Sequence, residues 1–351
     1  MTSNSPWRVV AAPSTHPGVP HRPRARLLGG RATRPAAVTA LVVVGMLVPF
    51  VLKDDFILGI FTDSLVYVTL ALSYDLSVGR VGALSLAHPA FFGAGAYAAA
   101  ILLEHQPDAP LVLQVLLAVG TAGVLAVVIG IPAFRLSHLT FGMATLGFAL
   151  IAELVAQNEV RLTNGPLCVA GVSPLQAGPL AGLGMDSAAQ QYEIFLVLAV
   201  LTGAFVSALV KSRIGRAYIA VREDEPMAMS VGISPKRYRM SAFTTGAAIA
   251  GLLGAFYAHY VSVVCPTNLD ISYTVNLLVI LFLGGVGGFW GIILAAFVFT
   301  AIPEILQVDP SIRLIVYGAA LLLGISLLPE GFEGLSRRLS RRHWAPKERD
   351  A

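Results

Sequence analysis

The chain has 351 residues, of which 56% are hydrophobic and only 13% charged, with a formal net charge of +4 and two cysteines. A soluble globular domain carries about 25% charged residues, and here the apolar residues come in continuous runs. These features exclude a soluble core and leave an all-α polytopic membrane protein, whose helices satisfy their own backbone in lipid.

In chain order, residues 1–35 are basic and contain Pro13, Pro17, Pro20, Pro23 and Pro35. They read as a disordered cytoplasmic tail that fixes orientation, with arginines that could also touch anionic lipid. The apolar region, 36–330, divides into about ten spans: 36–52, 57–78, 84–103, 111–134, 139–157, 191–210, 240–264, 272–287, 289–306 and 312–328. The first run ends in "VLKDDF" with no small-residue cleavage site, so it reads as an uncleaved span. All 24 lysines and arginines except Lys53, Arg161 and Arg313 fall in one set of inter-span segments. Cytoplasmic loops collect Lys and Arg, so both termini are expected inside, the second basic tail at 331–351 included.

Span two ends in Asp75 beside Arg80, which a local ion pair or snorkelling explains. Span three, "LSLAHPAFFGAGAYAAAIL", places Ser85, His88, Pro89, Gly93 and Gly95 in its first half, residues that weaken a helix. A histidine in a span faces a bundle interior or a pathway, and a packed, hydrogen-bonded structural role is the alternative for His88. Gly93, Gly95, Ala99 and Ala100 have the spacing that lets helices pack closely, and packing is the favoured role for these four over a place in a break. "GAGAYA" mimics a dinucleotide-binding fingerprint, but it lies inside a span and lacks the strand that motif requires. In span five, Thr145 suits a bond to its own helix backbone, and Glu153 lies near the external end.

The longest basic internal loop, 211–239, contains "REDEPMAMSVG". Glu223, Asp224 and Glu225 suit a helix start, Pro226 its first turn and Gly232 its stop. Ala228, Met229 and Val231 form a small apolar patch suited to docking in a groove of another protein, in preference to resting on lipid. Cys168 and Cys265 both fall on the external side, where a disulfide can persist; two separate thiols are the simpler expectation. Asn276 opens the span that leads into "LGGVGGFWG", whose Gly284, Gly285, Gly287 and Gly288 interrupt it. Irregular backbone at membrane depth survives where it is buried in protein or lines a wet cavity, and transporters build solute paths from such interrupted helices. Ser85, His88, Thr145 and Asn276 are therefore the path candidates. Gly93 and Gly95, with the four glycines at 284–288, are the glycines of two interrupted helices. No Walker A pattern, metal-ligand cluster or nucleophile elbow is present, so the chain has no visible engine of its own.

Five ordered blocks carry a resemblance. "LSLAHPAFFGAGAYAAAIL" resembles the "LSLGHAAFFGIGAYTAAIL" signature of the branched-chain amino acid permease family of ATP-binding-cassette (ABC) importers. "ALSYDLSVGRVGALSLAH" is similar to "ALGLNLLVGYAGQLSLGH", and "RLSHLTFGMATLGFALIAEL" to "RLRGLYFAIATLAFAEI". "GRAYIAVREDEPMAMSVGISPKRYR" resembles "GRALRAIREDEIAAEALGINVTRYK", and "LLVILFLGGVGGFWGIILAA" resembles "LLMVVLGGLGSLWGPVLGA". The likeness covers roughly residues 60–330. Asp75 stands where the family usually has asparagine, Asn276 where glutamate is frequent, and Arg80 and Pro89 replace the commoner tyrosine and alanine.

The resemblance implies a type II ABC importer permease fold and a multi-pass subunit of a bacterial plasma (inner) membrane. It implies a second homologous permease subunit, two ATP-binding cassette subunits and an external solute-binding protein as partners, with no nucleic acid. The chain itself would carry no cofactor; ATP-Mg would sit in the ATPase subunits. Arg222, Glu223, Asp224, Glu225, Ala228 and Gly232 would belong to the ATPase-coupling segment. A branched-chain amino acid is the implied cargo, with urea or a short amide as the alternative. An ion-gradient-driven secondary transporter would want buried ionisable relays, and a membrane scaffold would need neither the glycine break nor the docking loop.

Overall fold

The computed structural model describes residues 45–49, 54–173, 187–306 and 318–319. Both basic tails and most of the first and tenth expected spans lie outside the described residues. Helix α1, Asp55–Asp75, starts at Asp54, whose carboxylate accepts from the Phe56 amide at 3.0 Å, and it runs into a π turn, Leu76–Arg80. It is the buried central helix. Its hydroxyls at Thr62, Ser64, Thr69 and Ser73 donate to carbonyls three or four residues back, so they need no outside partner.

After an irregular segment, 81–87, come α2 (His88–His105), α3 (Leu111–Ala133) and α4 (His138–Asn158). A short helix α5 (Val160–Thr163), a 3₁₀ turn and strand β1 (Val169–Ala170) follow. Then come α6 (Ala188–Lys211), α7 (Arg213–Glu223), α8 (Glu225–Ser230) and α9 (Pro235–Val261). Strand β2 (Val263–Val264) and a 3₁₀ turn lead into α10 (Ile271–Gly284) and α11 (Phe289–Ile305). Six of these segments are long and apolar enough to cross a membrane: Asp55–Arg80, Leu111–Ala133, Leu139–Asn158, Ala188–Lys211, Pro235–Val261 and Pro266–Gly284. The eight spans expected between residues 57 and 306 each coincide with a helix, and the remaining two lie almost wholly outside the described residues.

Small residues set the helix spacing. Apolar helices in lipid gain nothing from water release and instead associate by close backbone contact. A Cβ on Gly95 would lie 2.3 Å from the Gly251 carbonyl, and one on Gly254 would lie 2.2 Å from the Phe92 carbonyl, so α2 and α9 touch backbone to backbone. A Cβ on Gly251 would in turn meet Ala122 of α3 at 2.5 Å. Ala118, Ala122 and Ala126 form the buried stripe of α3, while Val112, Leu116, Val124 and Val128 on its other face are exposed. Helix α1 packs against α6, α9 and α11, and α10 packs against α11.

Two expectations are corrected here. The interruption in span three lies upstream of its glycines: Gly93 and Gly95 sit within a continuous α2 and serve packing, Gly93 against Leu269 and Gly95 against Gly251. The break that does use glycine is the second one, between Gly284 and Phe289, where Gly285 (φ 97°) and Gly287 (φ 84°) occupy backbone conformations closed to other residues. The second correction concerns the cysteines. Cys168 and Cys265 form a disulfide with their Cα atoms 4.5 Å apart. It flanks the two-stranded β1–β2 ladder, in which Val169 pairs with Val264 and Ala170 with Val263.

Because the chain has two cysteines and both are bridged, a maleimide should label none of them before reduction and both after it. Labelling of unreduced, folded protein would refute the bridge. Gly95→Val should lower the thermal midpoint, since overpacking of this kind costs about 1–3 kcal/mol. Gly120→Val, where a Cβ meets nothing within 4 Å, should leave it unchanged.

Candidate functional site

The irregular segment 81–87 is the first thing to explain, because its backbone groups have no helix to satisfy them. Side chains answer them. The Tyr74 hydroxyl donates to the Ser85 carbonyl at 2.6 Å, and the Leu86 amide donates to Thr145 Oγ1 at 3.0 Å. Thr274 Oγ1 donates to the Leu86 carbonyl at 3.2 Å, and the Ala87 amide to Ser85 Oγ. His88 Nε2 meets Ser73 Oγ at 2.8 Å, with the ring held against Tyr74 and Phe91. Ser85, His88 and Thr145 are buried, and their polar atoms are taken up by this loop and its neighbours. The structure thus places three of the four expected path residues in a structural network.

The fourth, Asn276, lies elsewhere, on the wall of a cavity of about 170 Å³. A single ordered water needs roughly 10–15 Å³, so the space is ample for a small polar solute. Helix α1 contributes Asp63, Val66 and Tyr67; α9 contributes Tyr257; α10 contributes Tyr273, Asn276, Val279 and Ile280; α11 contributes Phe299, Thr300 and Glu304. Asn276 Nδ2 donates to the Tyr67 hydroxyl at 3.2 Å, and the Tyr67 and Tyr273 rings stack at 5.9 Å. Tyr260 hydrogen-bonds Asp63, and Tyr257 hydrogen-bonds Tyr273. Two carboxylates and several phenols thus share a wall with valine, isoleucine and phenylalanine. Such a site suits an amphiphilic solute with a cationic end. Sequence reading missed Asp63, Glu304 and the tyrosines. The available signal was an acidic residue at mid-span with a tyrosine four residues on, which share one helix face.

The segment expected to contact an ATPase forms two helices, α7 and α8. Ser212 caps α7 through the Ile214 and Gly215 amides. Tyr218 is buried beneath it, its hydroxyl paired with Ser241 Oγ at 2.9 Å, and burial pushes this phenol above its ordinary range. Asp224 caps α8 by accepting from the Met227 amide at 2.9 Å, and Gly232 (φ 82°) ends it in the left-handed conformation. Glu225 and Arg239 form a two-bonded ion pair that braces α8 on the start of α9. Ala228 faces inward, and the exposed apolar surface belongs to Met227 (67% exposed), Met229 (54%) and Val231 (70%). The expected docking patch is therefore shifted, with Met227 in place of Ala228. Glu223 is exposed, and Arg222 reaches back to donate to the Gly79 carbonyl. Asp75 and Arg80 form an ion pair with each other at 2.8 Å.

A bundle of membrane helices with an interrupted pair, an internal polar cavity and an exposed amphipathic segment defines a transport permease. The family model for the permease component of branched-chain amino acid transport systems matches residues 56–325, and the chain belongs to that family. It is 28% identical over 323 residues to the high-affinity branched-chain amino acid transport system permease protein LivM of Escherichia coli (strain K12), covering 86% of this chain and 75% of LivM. The LivM protein of Salmonella typhimurium is also 28% identical, over 85% of this chain and 74% of its own length. The Escherichia coli LivH permease protein is 25% identical over 287 residues, 76% of this chain and 91% of LivH. No solved structure matches the chain.

Asn276→Ala should reduce uptake per folded molecule about fivefold, the effect of losing one hydrogen bond of about 1 kcal/mol. His88→Ala should instead lower folded protein and uptake in parallel, because it empties a packed core site. Uptake assays normalised to folded protein by gel filtration separate the two.

Proposed function

We propose that this chain is a membrane-spanning subunit of an ATP-driven importer that passes branched-chain amino acids across a bacterial inner membrane. In this reading a second permease completes the membrane part, two ATPase subunits bind the basic face around α8, and an external binding protein delivers the solute. Both termini face the cytoplasm, and the disulfide end faces outward.

The observation that carries the reading is the cavity. An amino acid has an ammonium group and, in this class, a branched aliphatic side chain. Asp63 and Glu304 attract the first, and Val66, Val279, Ile280 and Phe299 accept the second. Asn276 and Thr300 offer neutral hydrogen bonds for the carboxylate. An uncharged urea would use the phenols and the asparagine but gain nothing from the aliphatic wall. The interrupted α10–α11 pair borders this space, as a moving wall would. The apolar residues exposed on α8 lie in the most basic loop of the chain, where an ATPase would meet it.

Reconstitution with the four partner subunits in liposomes tests this. Labelled leucine should accumulate only with internal ATP, and labelled urea should not. ATP-dependent uptake of urea alone would reassign the cargo, and uptake driven by an ion gradient without ATP would overturn the class. Met227→Asp with Val231→Asp should cut solute-stimulated ATP hydrolysis at least tenfold while membrane abundance is kept, since each buried apolar side chain contributes about 1.5–3 kcal/mol.

A further inference from the structure

Four chain segments meet at one carboxylate. Asp75 closes α1 and is fully buried. Its Oδ2 accepts from Arg80 Nε at 2.8 Å, and its Oδ1 accepts from the Gly287 amide at 2.9 Å. The π turn makes room for it: a Cβ on Gly79 would stand 1.7 Å from Oδ1, so only glycine lets the carboxylate fold across the turn. Arg222, the penultimate residue of α7, donates to the Gly79 carbonyl, and its stem lies over Gly82. Three residues beyond Arg222, α8 begins. On the other side of the carboxylate, the glycine turn 284–288 joins α10 to α11, and these two helices with α1 supply most of the cavity wall.

We propose that Asp75 is a positioning residue that fastens the glycine turn to the base of α1, and that Arg222 ties this fastening to α8. A displacement of α8 would then reach the cavity through Arg222, Gly79, Asp75 and Gly287 in turn. This inference rests on the reading of α8 as the ATPase contact. The chemistry favours a carboxylate at this point. It holds a backbone amide and a guanidinium at once, so the two turns separate only if a buried donor is left unpaired.

The test uses the assembled transporter and has two independent readouts. Asp75→Ala removes the acceptor of the Gly287 amide, so deuterium exchange over 284–288 should quicken roughly tenfold or more. The ratio of leucine moved to ATP hydrolysed should fall at least about fivefold in the same variant. Asp75→Asn keeps an oxygen for Gly287, so its turn should exchange near the original rate; exchange as fast as in Asp75→Ala would overturn the hydrogen-bond account. Arg222→Ala leaves the Asp75–Gly287 bond in place, so it should lower the ratio without quickening the turn. An unchanged ratio in Arg222→Ala would overturn the link to α8, and it covers the case in which Asp75→Ala fails to fold. Unchanged exchange in Asp75→Ala would overturn the fastening itself. The exchange readout needs no transport, so it stands apart from the proposed function, which the uptake assays on the unsubstituted complex decide.

Discussion

Backbone that leaves the helix inside a hydrocarbon layer must find every hydrogen-bond partner within the protein, and this requirement organises the chain. Among the described residues, two segments leave the helix within the bundle, 81–87 and 285–288. The first is served by Tyr74, Ser77, Ser85, Thr145 and Thr274, drawn from four separate parts of the chain. The second is served by its own Gly288–Gly285 bond and by Asp75. An unserved group would cost several kcal/mol in lipid. The polar residues of the central spans are accordingly where the loops need them, and the cavity forms in the remaining space between α1, α9, α10 and α11.

That distinction explains what could be read from the sequence. Continuous apolar runs revealed α1 to α4, α6 and α9 to α11 because lipid imposes length and composition directly on each run, with no reference to its neighbours. The start and stop signals at Asp224, Pro226 and Gly232 were equally local, and α8 lies between Asp224 and Gly232. Pairings across the bundle were not legible. Ser85, His88 and Thr145 are polar in apolar surroundings, which marks them as costly without saying what repays the cost. Their partners lie 15 residues away for His88 and 59 for Leu86 and Thr145. Cys168 and Cys265 stand 97 residues apart, and nothing in either local sequence records the other.

Glycine shows the same limit in one residue type. Gly93 and Gly95 are set among alanines, the best helix formers, and their missing side chains admit Leu269 and Gly251. Gly284, Gly285, Gly287 and Gly288 crowd into five positions without an alanine among them. There the backbone itself turns, at φ values of 97° and 84°. Local density and neighbours separate the two uses: a glycine among helix formers thins a helix, and a cluster ends one. Asp63 shows a related limit, since one acid in an apolar run carries no mark of its partners. Its significance comes from Tyr260, which hydrogen-bonds it, and from Glu304, whose charge acts on it, and these lie on two other helices.

Helix α10 is held differently at its two ends, and this bears on how its cavity wall can move. At its start, Asp270 caps the helix through the Ser272 amide, and the disulfide at Cys265 lies only a few residues before it. At its end, the chain turns on glycines held by a hydrogen bond to Asp75. Under the proposed link to α8, a covalent anchor near one end and a breakable bond at the other would make the helix a lever with its pivot at the disulfide end. With a rise of about 1.5 Å per residue, Asn276 lies roughly 8 Å from Ile271, whereas Gly284 lies about 20 Å away. A shift at the turn therefore arrives at Asn276 reduced to roughly two-fifths. Ile280, nearer the turn, moves further than Asn276. Motion from the basic end of the bundle would thus sweep the aliphatic wall while displacing the polar contact least, loosening a branched side chain before the hydrogen bonds that orient it.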